Sequence, residues 1–279
     1  MSRQNLMDKQ KAKVYLLYLL RKLYDITEAN NIPIYSSGGT CLGMVRHKGM
    51  IPWDDDIDLM IFREDYDRLV ALCERDLPHP LKLRTRQNDP YFYQEFCKLC
   101  IVDDFGKYTD LSIDIFPIDN SNPKRKLFRA TQNFLKTQLY HIKMYKVSKL
   151  GYDSYEPDSF IKKVYLQLFS ALLSLKTIDK WLLSVLTADK SKSDYVVNWG
   201  ASYSYKKATY LKSAFGTPQK RPFENTYIWT EEHPEEILIK LYGKDYMTPP
   251  PKDKQTDHGV RDFTCSALDY EIIKKEVGM

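Results

Sequence analysis

The stretch GGTCLGMVRHKGMIPWDDDID, residues 38–58, carries the densest chemical signal in the chain. Asp56 and Asp58 flank Ile57 at the start of an apolar run, 57–62, that reads as a strand. Alternation puts both carboxylates on one face and Ile57 and Leu59 on the other. Carboxylates this close repel unless a cation stands between them, and a hard divalent ion is the usual partner. Further on, residues 109–116 read as another strand with Asp110, Ser112 and Asp114 on one face. If the two strands are neighbours, Asp114 meets Asp56 and Asp58. Three such acids can hold Mg2+ (or Mn2+), and one of them can take the proton of an attacking hydroxyl.

The glycines upstream supply the complementary half. Gly38, Gly39 and Thr40 fall between a short strand, 32–35, and a helix, 41–46. Backbone amides there can approach a phosphate unobstructed, and a helix N-terminus favours negative charge. Arg46 and Lys48 follow as candidate phosphate partners, and Trp53 can stack on a base or wall the pocket. A cation site beside an anion cradle is what phosphoryl-type transfer needs, since charge stabilisation and positioning supply most of that catalysis.

Working outward, apolar spacing predicts a long amphipathic helix over 6–29, ended by Asn30, Asn31 and Pro33. A helix over 63–75 and strands over 81–85 and 91–102 complete an α/β core. After Pro123 the pattern turns helical, at 124–146, 160–175 and 178–186. A short strand pair is expected near 195–199 and 227–229, and a helix over 234–242 that begins on Pro234 and stops at Gly243. The division expected is a nucleotidyltransferase-like catalytic core at 1–120, a mainly helical region at 121–230, and a C-terminal segment, 231–279, returning to the core.

Composition sets the broad class. The 279 residues are 43% hydrophobic and 28% charged, which is globular, and 21 tyrosines suit grooves and interfaces. A net charge of +5 is too small and dispersed for nucleic-acid binding, and fits anionic substrates or peripheral contact with a membrane surface. The first residues lack a signal-peptide pattern, and the most apolar run, 164–175, falls short of the about 20 residues a bilayer span needs. A cytoplasmic protein, working at the inner face of a membrane, is the expectation. Five cysteines suit a reducing compartment. Cys97 and Cys100 form a CxxC inside a strand with no second ligand pair, so a structural role is expected.

The block GGTCLGMVRHKGMIPWDDDIDL, 38–59, resembles the signature of the LicD family, to which the fukutin-like proteins are related. SIDIFPID, 112–119, resembles that family's second acidic block, and PFENTYIW, 222–229, and LYGKDYMTPP, 241–250, its C-terminal segments. The likeness leaves 124–210 unmatched. It implies a nucleotidyltransferase fold. It also implies transfer of phosphocholine, or of glycerol or ribitol phosphate, from a cytidine-diphosphate-activated donor such as CDP-choline. The acceptor would be a sugar or lipid-linked oligosaccharide of a cell-surface polysaccharide such as a teichoic acid. By position, Asp56, Asp58 and Asp114 would be the metal-binding acids, and Gly38, Gly39 and Thr40 would sit at the donor phosphates.

Other residues are weighed against that reading. Tyr242, Asp245, Tyr246 and His258 are expected to fold back over the site, with His258 a candidate donor contact. His47 reads as a loop residue, Lys82, Arg84 and Arg86 as an exposed strand face. Lys124, Arg125, Lys126 and Arg129 open a helix, where positive charge opposes the dipole and hints at an anionic partner. Two alternatives stay open: attack on the donor's α-phosphorus with release of pyrophosphate, and a non-catalytic scaffold of a glycan assembly pathway.

Overall fold

The computed structural model of the chain describes residues 6–152, 154–255 and 259–279; His258 lies outside them. Helix α1, Lys9–Ala29, starts where the Asp8 carboxylate accepts the amides of Gln10 and Lys11, and ends before Asn31 at φ 52°. Strand β1 is Tyr35–Ser36, helix α2 Gly38–His47, strand β2 Ile57–Phe62 and helix α3 Arg63–Asp76. Strands β3, Leu81–Arg84, β4, Cys97–Val102, and β5, Tyr108–Asn120, follow, then helices α4, Lys126–Lys149, α5, Phe160–Leu172, and α6, Leu175–Leu186. Strands β6, Tyr195–Asn198, and β7, Thr209–Leu211, precede the short helix α7, Lys212–Phe215. Strands β8, Gln219–Phe223, and β9, Thr226–Thr230, helix α8, Pro234–Tyr242, and helix α9, Tyr270–Glu276, close the chain.

The main sheet runs β1-β2-β5-β4-β3, with β6 on β5 and β7 on β6. Strand β5 is its spine. It pairs in parallel with β2, and its other edge takes β4 antiparallel along the first part and β6 along the last. The observed class is thus α/β, a mixed sheet with an added helical region, as expected.

Period-2 alternation along β2 and β5 gives the sheet two unlike faces. Ile57, Leu59, Ile61, Ile113 and Ile115 join the core under α1. Burial of this continuous apolar layer, at about 25 cal/mol per Å2, is the main source of stability. The opposite face carries Asp58, Met60, Asp114 and Phe116, and only its far part closes over a small core with Tyr35, Phe96 and Phe215. Helices α4, α5 and α6 form a separate packed unit around Leu139, Ile142, Tyr145, Leu166, Ile178 and Leu182. Among the described residues no helix is long and apolar enough to cross a membrane.

Three expectations are corrected. The strands near 195–199 and 227–229 do not pair: β6 joins the main sheet between β5 and β7, while β9 forms a hairpin with β8. The strand expected over 91–102 begins only at Cys97. Residues 85–96 are held in turns, in which Asn88 donates to the Leu83 carbonyl and Asp89 accepts the amide of Tyr91. Arg84 and Arg86 are not an open charged face: they pair with Asp89 at 2.7 Å and Glu95 at 3.3 Å.

Candidate active site

The parallel register of β2 and β5 sets Asp58 directly beside Asp114. Both point to the face away from α1, because their neighbours Ile57, Leu59, Ile113 and Ile115 fill the other. Asp56 precedes β2 by one residue and, with Asp54 and Asp55, lies in the irregular segment between the turn at 52–53 and that strand. Carboxyl oxygens of Asp54, Asp55 and Asp56 lie within 4.8 Å of one another; among the described residues they are the set of three potential metal ligands gathered that closely.

These acids feel one another. Burial pushes the Asp56 carboxyl up to about 7, and the charges of Asp54 and Asp114 push the same way. Burial raises Asp58 well above the carboxylate range, reinforced by Asp56, Asp114 and Asp54 and opposed by Lys98. Asp54 is raised chiefly by burial. Burial and mutual repulsion thus make these carboxyls hold a proton, or another cation, more readily than free carboxylates do. Asp114 is the exception: Lys98, its partner across β4, sends Nζ to both Asp114 oxygens at 2.6 Å, and Ser112 donates to Oδ1 at 3.0 Å.

The glycines serve these acids. Gly38 sits at φ 49°, and a side chain there would reach within 3.5 Å of Asp58 Oδ2. At Gly39 a Cβ would stand 2.7 Å from Asp54 Oδ2, so only glycine lets that carboxylate lie against the first turn of α2. No side chain caps this turn, and its dipole favours the acids gathered beside it. Helix α2 begins at Gly38 rather than at Cys41, so the glycines are its first turn, not a loop before it. The Thr40 hydroxyl oxygen accepts the Asp58 amide at 2.8 Å, locking α2 to β2.

The remaining sequence candidates divide. Arg46 lies with its guanidinium 5.7 Å from the Trp53 ring, donates to the Tyr246 carbonyl at 3.2 Å and to His47 Nε2 at 2.9 Å. His47 therefore belongs to this cluster. Lys48 does not join it: exposed, at φ 58°, it caps the far end of α2, about 15 Å of helix from Gly38. Helix α8 returns to the site through Tyr242, whose hydroxyl lies 3.9 Å from a Cβ at Gly38 and accepts from the Tyr203 hydroxyl at 2.9 Å. Burial, Tyr203 and the Asp58 charge raise the Tyr242 phenol far above its usual value.

Lys98 and Tyr203 were missed by sequence reasoning. Alternation along β4 points Lys98 and Cys100 to one side, which was a usable signal for Lys98; Tyr203 lies in a loop whose destination no local pattern reveals. Behind the site, buried Glu231 accepts from Thr230 Oγ1 at 2.7 Å, Ser36 Oγ at 3.2 Å and Cys41 Sγ at 3.7 Å, while its Oε1 has no hydrogen-bond partner among the described residues.

The CxxC is structural in geometry. Cys97 and Cys100 stand three apart on a strand and so point to opposite faces. Both are buried and unbridged, and burial pushes each thiol up to about 12. Arg125, at the start of α4, pairs with Asp189 at 2.8 Å, and buried Arg129 donates to Thr209. Part of that basic helix opening therefore has internal partners.

Comparison with known proteins adds an independent line. Residues 31–155 match the family described as LicD/FKTN/FKRP, nucleotidyltransferase domain. The lipopolysaccharide cholinephosphotransferase LicD of Haemophilus influenzae is 24% identical over 259 residues, covering 88% of this chain and 94% of that protein. An uncharacterized protein of Rickettsia typhi is 28% identical over 159 residues, 56% of this chain and 47% of that one. The ribitol-5-phosphate transferase FKTN of mouse shares 36% identity over 74 residues, 26% of this chain but only 15% of its own length.

Proposed function

We propose, from the match of residues 31–155 to the LicD/FKTN/FKRP nucleotidyltransferase domain and the likeness of most of the chain to a cholinephosphotransferase, that the chain transfers a substituted phosphate, phosphocholine or a polyol phosphate, from a cytidine-diphosphate-activated donor to a sugar hydroxyl of a glycan or its precursor. The observation that carries this reading is the in-register pair Asp58 and Asp114, set beside Asp54 and Asp56 at the first turn of α2. The cholinephosphotransferase and ribitol-phosphate transferase relatives supply the substrate class.

The donor set fits a hard divalent cation. Its ligand atoms are carboxylate oxygens: those of Asp54, Asp55 and Asp56 lie within 4.8 Å of one another, Asp58 and Asp114 stand outside that close set, and burial raises the affinity of Asp56 and Asp58 for a proton or another cation. Asp56 and Asp58 would hold Mg2+, with Asp54 at hand; Asp114 shares its charge with Lys98. When bound, the ion supplies Lewis-acid polarisation of the donor's phosphate oxygens.

The chain's own residues do the rest. The first turn of α2 favours the anionic donor at its positive end. Arg46, held at the last turn of α2 by His47 and the Tyr246 carbonyl and stacked near Trp53, has, among the described residues, one guanidinium nitrogen, Nη2, left to offer an anionic group that extends away from the first turn. Tyr242 closes one wall and, having accepted from Tyr203, keeps its own proton to donate. The acceptor hydroxyl attacks the phosphorus distal to the cytidine. Its proton passes to the Asp58–Asp114 pair, and cytidine monophosphate leaves.

The test is product analysis with CDP-choline, CDP-glycerol and CDP-ribitol, each with and without Mg2+. Cytidine monophosphate should appear with one donor and only with the cation. Pyrophosphate released from a nucleoside triphosphate, with no turnover of any of the three donors, would sink this reading and favour nucleotidyl transfer.

A further inference from the structure

We propose that helix α5 docks on an anionic lipid surface, lying in its plane with an apolar stripe inserted and lysines at the headgroups. The stripe is Ile161, Val164, Leu168 and Leu172, at steps of three and four, so it follows one side of the helix. That side faces solvent: Ile161 is 82% exposed, Leu168 55% and Leu172 70%, with Phe160 beside them at 79%. The opposite side, through Leu166 and Ser170, is already buried, with Leu166 packed in the core shared with α4 and α6. A helix apolar on its packed side and again on its open side is unlike an ordinary surface helix, whose outer face is polar.

Charge selects the occupant. Residues 124–190 contain thirteen lysines and arginines against five aspartates and glutamates, an excess larger than the whole chain's +5. Most of those acids are already used internally: Asp158 pairs with Lys162, Asp179 with Lys143 and Asp189 with Arg125. Helix α5 itself has no acid, and Lys163, Lys176 and Lys180 are exposed on α5 and α6. Trp181, 48% exposed, adds an indole of the kind that settles at membrane–water boundaries.

Such a surplus of positive charge beside open apolar residues complements anionic lipid. It opposes a second copy of the chain, because a two-fold contact would set the lysines against each other. At 13 residues, about 20 Å, α5 is too short to cross a hydrocarbon core of about 30 Å, so it lies along the surface.

The experiment is sedimentation of the full chain with vesicles of phosphatidylcholine, alone or with about one part in three phosphatidylglycerol. It is independent of the transfer reaction, so its outcome and that of the donor assay fail separately. The chain should sediment with the anionic vesicles only, and release as salt is raised. The pair Ile161→Ser and Leu168→Ser should weaken binding at least tenfold, and Lys163→Gln and Lys180→Gln about fivefold each, with unchanged thermal melting. Equal binding to both vesicle types, binding to neither, or full binding by the serine pair would overturn the proposal. So would a dimer in sedimentation velocity that the serine pair dissolves, which would reassign the stripe to a second copy.

Discussion

The parallel pair β2 and β5 carries buried acid at both ends, and the two ends treat it in opposite ways. At the C-terminal end Asp119, 2% exposed, receives both arms of Arg63 at 2.8 and 2.9 Å. At the other end Asp54, Asp56 and Asp58 face one another, and only Asp114 has a lysine of its own. A cavity of about 730 Å3 lies at the Arg63 end, lined by Asn120, Asp189, Lys190 and Lys212. It is roughly 16 Å of strand from Asp58, so size alone points away from the chemistry. The difference teaches that a buried acid with a dedicated partner is structural, whereas acids left to repel are kept for something that binds.

The most severe break of the comparison is Asp58→Asn. Transfer activity should fall by about a thousandfold, the scale expected when a central charge-handling group is removed. Without divalent cations at pH 8 the variant should melt no lower than the parent, since one of several repelling carboxylates is gone. A large drop in melting temperature would make Asp58 structural, like Asp119, and erase the contrast.

Arg63→Met attacks the other end. It leaves Asp119 buried without its cation, which costs about 3–5 kcal/mol when one partner of a buried pair is removed. Urea unfolding should show that loss, while the activity of the folded fraction stays within a few-fold of the parent. A stability change below about 1 kcal/mol would mean that the pair is solvated enough to be dispensable.

Much of the acidic end was legible in the sequence. Period-2 alternation fixed which side chains share a face, so Asp58 and Asp114 could be matched once the strands were assumed adjacent. That adjacency is a long-range pairing which no local pattern encodes. The same limit explains the misassigned strand β6: the 13 residues of β5 run past Asp114 and offer a free edge, and only the length of β5 reveals a place for another strand. Helices were read well where stop signals are chemical, as at Pro234 and Gly243. Helix α2 was shortened because two leading glycines read as a loop, although they form its first turn. Lys98 and Tyr203 act through partners far along the chain, so residue type alone did not single them out.

Glu231 sharpens the comparison through pH. It is fully buried behind the acidic end, and burial pushes its carboxyl up to about 7 from an ordinary 4.5, against the hydrogen bonds of Thr230 and Ser36. Between those values the folded chain keeps a proton that the unfolded chain has lost. Stability is therefore greatest at the acidic side of the window and falls as pH rises from about 4.5 to about 7, by up to about 3 kcal/mol. Asp56 pulls in the same direction in the absence of cations. Chemical denaturation at pH 5 and pH 8 should show this slope, and Glu231→Gln should flatten it. A slope unchanged in that variant would assign the whole effect to the site acids.

Gly39→Ala should have the smallest effect on stability, yet it separates fold from function most cleanly. The added methyl would meet Asp54 Oδ2 at 2.7 Å, so that carboxylate must turn away from the first turn of α2. The displaced atom is the end of a side chain, and alanine favours a helix over glycine by about 1 kcal/mol, so the net change should stay within about 1 kcal/mol. Activity should nevertheless fall about tenfold, because Asp54 no longer supports Asp56 where the donor's charge is received. If Asp54 only completes a turn, the alanine variant will keep parental activity and its cation dependence. In that case the repelling set shrinks to Asp56 and Asp58, and the contrast between the two ends of the strand pair rests on those two side chains.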